Sequence, residues 1–336
     1  MPQAKERTSS SPGPGSGISK SSTQMRPLCI SAARIRRRLA FQASWCHHNQ
    51  DGHWREDMLT AEDIKQFHDS GYCVSPVVFN AEQIRRAHQA VDRVYAGDLD
   101  DGRSWPFMEP VTRDGPYDVR TTGPYDVRTT LFSAYVNRTI RSMAANEVLV
   151  GMAAALLGCE AVRLWQDQAI WKPGTGGLLV DNGDIGFHQD YSYWQDSSTT
   201  NMVSANIALQ DVTAENGALR MIPGSHKLGL LSDVGAFFDR NLNETRQRLQ
   251  ADLGVSEDVP IELKAGQVSF HHSLTIHCSG PNTSASRRLV LAPAYIADGT
   301  FYRNEGQPFC PHGLLLGDDR QHGTPFAGEF FPLLRP

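Results

Sequence analysis

The apolar residues of this chain recur in two rhythms, and the change from one to the other divides it. Between residues 60 and 158 the spacing is mostly three or four, the repeat of one helical face. Thr60-Ala61-Glu62-Asp63 has the form of a reciprocal cap, with Ile64 and Phe67 on one side behind it and Gly71 as a stop, so a short helix is predicted there. Asn80-Ala81-Glu82-Gln83 repeats the device. Behind it Ile84, Ala87, Val91, Val94 and Tyr95 keep helical spacing until Gly97, which predicts a second, amphipathic helix. The stretch 72–79 between them is apolar and β-branched enough for a strand. Residues 139–158, rich in Ala, Leu and Met, predict one longer buried helix stopped by Gly158.

Past residue 161 the period falls to two. Residues 162–171 alternate, and in 202–210 Val203, Ala205, Ile207 and Leu209 form one face while Ser204, Asn206 and Ala208 form the other, as half-buried strands require. Lys172-Pro173-Gly174, Glu215-Asn216-Gly217, Pro223-Gly224 and Gly280-Pro281-Asn282 supply the turns. This half predicts an all-β barrel or sandwich. Residues 226–258 interrupt it with Phe237-Phe238 and a charged, helix-prone run through Arg248 and Leu249 before strand spacing returns near Ile261. An insertion of that size is a natural place for a lid.

At 336 residues, 40% hydrophobic and 21% charged, the chain can bury a substantial core in one large domain or two small ones. A net charge of -5 without a basic stripe excludes a nucleic-acid partner held by phosphate contacts. No apolar run reaches the roughly 18 residues of a membrane span, so no membrane partner is expected. The six cysteines lack paired or metal-finger spacing, which fits free thiols and a cytoplasmic location. The first 57 residues stand apart: a Ser/Gly/Pro-rich stretch, then Arg34-Ile35-Arg36-Arg37-Arg38, with Glu6 the only acidic residue before Asp51. That composition fits a disordered tail or sequence upstream of a start at Met58, and also a mitochondrial transit leader. The expected organisation is a leader over 1–57 and a single domain over 58–336. Within it 58–160 is mainly helical support, 161–298 the β core and 299–336 an extension. Over 115–130 the unit Gly-Pro-Tyr-Asp-Val-Arg-Thr-Thr occurs twice in tandem. The period is too short for a solenoid, so it reads as a duplication in an exposed loop, with Arg120 and Arg128 as alternatives for one role.

The chemistry centres on Phe187-His188-Gln189-Asp190-Tyr191. On an extended strand, residues i and i+2 share a face, so His188 and Asp190 can reach one metal ion. Far downstream His277 opens Cys278-Ser279-Gly280-Pro281-Asn282, with Arg288 eleven residues beyond it. Two histidines and a carboxylate form a facial ligand set that leaves three positions of a six-coordinate iron open, and the Arg288 guanidinium can hold a carboxylate by two parallel hydrogen bonds.

These motifs, with Ala214-Glu215-Asn216-Gly217-Ala218-Leu219 running into Ile222-Pro223-Gly224-Ser225-His226-Lys227, resemble the phytanoyl-CoA dioxygenase-like (PhyH) family of Fe(II)- and 2-oxoglutarate-dependent oxygenases. The resemblance spans about residues 59–297 and keeps the family's motif order. It implies a mainly β fold with flanking α, a double-stranded β-helix (jelly roll, cupin-like) core buttressed by N-terminal helices. It implies Fe(II) held by His188, Asp190 and His277, with 2-oxoglutarate and O2 as cosubstrates. It also implies that Arg288 pairs with the far carboxylate of 2-oxoglutarate, Arg287 being the alternative, and that Ser279 and Gln168 touch the cosubstrate. Arg128 falls where some members carry a basic residue over the site, and Asn206 where some carry a tryptophan beside the cosubstrate. Tyr191, Tyr193 and Trp194 follow the ligands and suit a substrate wall. His271 and His272 read as structural, His226 as fixing a loop and Cys278 as packing.

The function expected is hydroxylation of an unactivated C–H of a small metabolite or natural-product intermediate, by a monomer or homodimer, with release of succinate and CO2. Two rivals remain at this point: a catalytically silent β-helix binding protein, and a cupin-like metal-dependent hydrolase or isomerase.

Overall fold

The computed structural model describes residues 59–100, 127–178, 180, 183–234, 241–304 and 312–336. The leader over 1–57, Phe237-Phe238, Arg120 and all of the tandem repeat before residue 127 lie outside these residues.

Helix α1 (Ala61–Ser70) begins where its cap dictates: the Thr60 hydroxyl accepts the Asp63 N–H while the Asp63 carboxylate accepts the Thr60 N–H, so two otherwise orphaned donors are satisfied. Gly71, at φ +84°, ends it by donating to the Phe67 carbonyl, a left-handed cap that glycine adopts without strain. Strand β1 (Tyr72–Val77) follows, then α2 (Ala81–Tyr95), opened by the reciprocal Asn80 and Gln83 bonds. Strand β2 (Arg128–Leu131) and the short helix α3 (Ser133–Val136) come next. The single helix expected over 139–158 is instead two, α4 (Arg138–Ala144) and α5 (Glu147–Leu157), bent by 43°. Asn146 is the cause, because its side chain accepts the Leu149 N–H and starts a new helix.

The β half comprises β3 (Val162–Lys172), β4 (Ile185–His188), β5 (Met202–Ala208), β6 (Leu219–Met221), β7 (Val259–Pro260), β8 (Gln267–His272), β9 (His277–Ser279), β10 (Arg288–Ala297) and β11 (Leu333–Leu334). They form two antiparallel sheets. The larger has the order β1-β8-β5-β10-β3-β11 with β2 also on β3, and the smaller has the order β4-β9-β6-β7. Two sheets with crossed-over strand order are the curled jelly-roll core expected from the motifs.

Each face of the large sheet has its own partner. Val203, Ala205, Ile207, Val268, Phe270, Leu289 and Leu291 point outward onto α2 and α5. There Leu149, Met152 and Leu156 have no exposed surface, each contributing about 1.5–3 kcal/mol of apolar burial. Ile170, Ala208 and Val290 point inward and meet Ile185 and Met221 of the small sheet. Alternation then places Gln168, Lys172, Ser204, Asn206, Ser269, His271 and Arg288 on the same inner face. The inner face is therefore apolar in the middle and polar towards its ends.

The expected lid is a buttress in its described part. Helix α6 (Leu242–Leu253) seats Leu249 among Phe187, Ile222, Ile276 and Cys278, on the outside of the small sheet, because that face offers an apolar stripe. The extension past residue 299 brings Phe326 and Phe331 against Trp165, and His312 stacks on the same indole at 4.0 Å. Among the described residues no single helix is long and apolar enough to cross a membrane.

Gly266 joins the helical layer to the large sheet. Its carbonyl accepts the N–H groups of Val78 and Phe79, its own N–H goes to Ala208, and at φ +85° an added Cβ would lie 2.1 Å from the Phe79 oxygen. Gly266→Ala is expected to lower unfolding stability by more than about 1 kcal/mol, measured as a reduced midpoint in denaturant or thermal melts.

Candidate active site

Strands β4 and β9 pair so that His188 stands directly opposite His277. Residues opposed in this way share a face, and both imidazoles enter the space between the sheets, 4.2 Å apart at their ring centroids. The ladder stops at His188, but Gln189 remains extended (φ -112°, ψ 130°), so Asp190 comes round to the same side before opening a 3-10 turn, Asp190–Tyr193. One Asp190 oxygen, Oδ1, lies 3.6 Å from Nε2 of each histidine, and one ligand atom from each residue falls within 4.8 Å of the others.

The orientation of the rings is imposed by the backbone. His188 Nδ1 lies 2.8 Å from the Gly186 carbonyl and His277 Nδ1 lies 2.9 Å from that of Thr275. A carbonyl only accepts, so each Nδ1 carries the hydrogen and each Nε2 presents its lone pair towards Asp190. Burial holds His277 well below the usual histidine range, helped by the nearness of the other two imidazoles, His188 and His271. Burial pushes the Asp190 carboxyl in the protonated direction, but His277, then His188 and the hydrogen-bonded His271, outweigh it and hold the group well below the usual carboxylate range. Neutral imidazoles beside an ionised carboxylate are the states in which these groups bind a metal. Two histidine nitrogens and one carboxylate oxygen fit Fe(II) with open positions.

Sequence reasoning missed what supports this cluster. Asp190 Oδ2 accepts the Ser204 hydroxyl at 2.6 Å and lies 3.0 Å from His271 Nε2. His271 was expected to be merely structural, as was its neighbour, yet the two point in opposite directions. His272 faces out towards Phe67, and burial pushes it down to about 4. The available signal was the alternation Ser269, Phe270, His271 on β8, but only its register with β5, Ser204 opposite His271, shows which face looks inward. Gln189, between His188 and Asp190, is also buried: its amide donates to the Gly229 and Leu274 carbonyls and its oxygen accepts the Leu231 N–H.

At the other end of the inner face Arg288 opposes Lys172 across β10 and β3. Arg288 is 2% exposed. It donates to the Asn216 and Gly217 carbonyls, has no carboxylate partner among the described residues, and is pushed down to about 10 by burial. Lys172 donates to the carbonyls of Gly183, Ser279 and Gly280, and its affinity for a proton is well below normal because of burial and then the Arg288 charge. Two buried cations matched mainly by neutral oxygens form a site for an anionic group. Arg287, the alternative to Arg288, points the other way: it pairs with Asp92 and lies 4.6 Å over the Trp171 ring.

The remaining candidates separate by face. Ser279 is fully buried at the end of β9, and its hydroxyl has no hydrogen-bond partner among the described residues. Gln168 and Asn206 stand on the inner face. Arg128 does not: β2 sets it opposite Trp171, and its guanidinium lies 5.1 Å over that ring on the helix side of the sheet. The expectation that Arg128 sits over the site is thus corrected by the β2–β3 register. Tyr191 and Trp194 are buried with Trp165 and Met202, and Tyr191 donates to the Ser197 carbonyl, so they pack rather than line a pocket. Tyr193 is 42% exposed, with its ring edge-on to His188 at 6.1 Å. Burial pushes the Cys278 thiol up to about 12, in the same direction as nearby Asp258, which makes it packing rather than a nucleophile.

The profile of the phytanoyl-CoA dioxygenase (PhyH) family matches residues 67–290. The chain is 26% identical over 250 residues to the probable alpha-ketoglutarate-dependent hypophosphite dioxygenase of Stutzerimonas stutzeri, covering 71% of this chain and 79% of that protein. It is 33% identical over 164 residues to the L-proline trans-4-hydroxylase of Streptomyces griseoviridis, covering 44% and 59%. The crystal structure of the non-heme alpha ketoglutarate-dependent carbocyclase SnoK from nogalamycin biosynthesis has the same fold, with TM-score 0.62, 23% identity and coverage of 82% of this chain and 96% of that one.

Removing one imidazole should destroy the cluster while leaving the sheet intact. His188→Ala and His277→Ala are each expected to abolish one-to-one Co(II) binding in equilibrium titration, with an unchanged circular-dichroism spectrum; retention of tight binding by either would exclude it as a ligand.

Proposed function

The chain belongs to the phytanoyl-CoA dioxygenase (PhyH) family, and from that membership we propose that it hydroxylates an unactivated C–H bond of a small metabolite or natural-product intermediate, with release of succinate and CO2. It is an Fe(II)- and 2-oxoglutarate-dependent dioxygenase. The observation that carries the finer reading is the convergence, between the two sheets, of His188, Asp190 and His277, with the buried Arg288 cation on the same inner face.

In this reading His188 Nε2, Asp190 Oδ1 and His277 Nε2 hold the iron. Arg288 receives the far carboxylate of 2-oxoglutarate, with the Ser279 hydroxyl, unpartnered among the described residues, as a second donor and Gln168 and Asn206 as polar walls. When bound, iron and 2-oxoglutarate would let dioxygen act as the oxidant, one of its oxygen atoms passing to the keto acid as it loses CO2 to give succinate and the other to the substrate C–H. The protein supplies placement. Asp190 occupies a position a halide would need, which favours hydroxylation over halogenation. Tyr193, aromatic, partly exposed and beside His188, is placed to touch the substrate. Relatives named for L-proline, ectoine and methylphosphonate support a small free substrate.

Two measurements test this. Candidate metabolites are screened for substrate-dependent succinate release after anaerobic loading with Fe(II) and exposure to oxygen; turnover that persists without 2-oxoglutarate would favour the hydrolase or isomerase reading instead. Arg288→Met is expected to weaken 2-oxoglutarate binding by roughly 10–150-fold, the equivalent of about 1.5–3 kcal/mol for hydrogen bonds to a charged group. Calorimetric titration checks it, and wild-type affinity in the variant would refute the anchor.

A further inference from the structure

The two oxygens of Asp190 have different surroundings. Oδ1 is 3.6 Å from Nε2 of both His188 and His277. Oδ2 accepts the Ser204 hydroxyl at 2.6 Å and lies 3.0 Å from His271 Nε2. His271 comes from a different strand, β8, as the cross-strand neighbour of Ser204. It is 4% exposed, its ring centroid is 4.4 Å from that of His277, and its Nδ1 has no hydrogen-bond partner among the described residues. An ionised carboxylate only accepts, so the hydrogen between His271 and Asp190 is on Nε2. That commits the one nitrogen near the cluster to Oδ2, and His271 is not a member of the three-residue ligand group.

We infer that His271, acting with Ser204, is a positioning residue that holds Asp190 as a one-oxygen metal ligand. The inference rests on the ligand assignment proposed above. Three protein donors leave three positions on a six-coordinate ion, which a two-point cosubstrate and one further ligand fill. A carboxylate that swung both oxygens onto the metal would take a fourth position and close the site to one of them. One hydroxyl on Oδ2 leaves the carboxylate free to pivot about that bond. A second, charge-assisted bond from another strand fixes its plane. Partners of this kind govern metal affinity without touching the metal, and their loss typically weakens binding by about 10–100-fold.

Co(II) is the probe, because its visible spectrum reports coordination number and its affinity is measured without turnover. His271→Phe keeps the ring and removes the donor. It is expected to bind Co(II) about 10–100-fold more weakly with an altered visible spectrum, whereas His271→Gln, whose amide can still donate to Oδ2, recovers most of the affinity. A His271→Phe protein that melts like wild type and binds Co(II) with wild-type affinity and spectrum overturns the inference. Where the phenylalanine variant does not fold, Ser204→Ala interrogates the same oxygen, and an unchanged spectrum and affinity there would overturn it equally. Failure of the wild-type protein to bind Co(II) would bring down the ligand assignment together with this inference, while an unchanged His271→Phe variant brings down the inference alone.

Discussion

The opposition of His188 and His277 across a single rung of the β4–β9 ladder is the constraint on which the site depends. Antiparallel neighbours on one face are separated by a fixed, short distance, and each ring is turned by the carbonyl two residues earlier in the chain. A slip of one residue would send one imidazole to the outer face. The register is held from outside: Phe187 and Cys278, next to the two histidines in sequence, are packed with Leu249 of α6. The described part of the insertion therefore bears on the site through the sheet.

The inner face between the sheets holds charges where apolar burial alone would place none. Asp190 is satisfied by Ser204 and His271 at one end, and Lys172 and Arg288 are satisfied by backbone carbonyls at the other. Burying charge carries a desolvation cost that neutral partners only partly offset. The space between the sheets is left polarised, with an arrangement that favours a cation at the cluster and an anion at Arg288. In the proposed reading, the chelating head of the keto-diacid takes the first of these ends and its carboxylate tail the second. Lys172 adds a mechanical link, since its three carbonyl partners lie just before β4 and at the end of β9, the two strands that carry the histidines.

Much of this was legible in the chain, and the legible parts were local. The caps at Thr60 and Asn80, the stop at Gly71 and the two-residue alternation over 202–208 depend on neighbours within a few positions and formed as the pattern predicts, whereas the strand over 162–172 carries a register shift at Trp165 that puts Val162 and Leu164 on the same face as Ala169 and Trp171. Asn146 is an exception that could have been found: an asparagine followed by glutamate inside a long apolar run is a cap signal, and it divides the helix expected over 139–158.

The sequence by itself determined which residue types were available for chemistry and the two secondary-structure rhythms that deliver them, because hydrophobic period, capping and turn propensity act over one or two turns of chain. Only the tertiary structure decided which face each strand shows. It turned Arg128 and Arg287 onto Trp171 and Arg288 inward, buried Tyr191 and Trp194 while leaving Tyr193 at the surface, and brought His271 to Asp190 from a strand 81 residues away. The physical reason is that strand register is set by pairings between distant segments, and a shift of one residue exchanges inside for outside without altering any local preference.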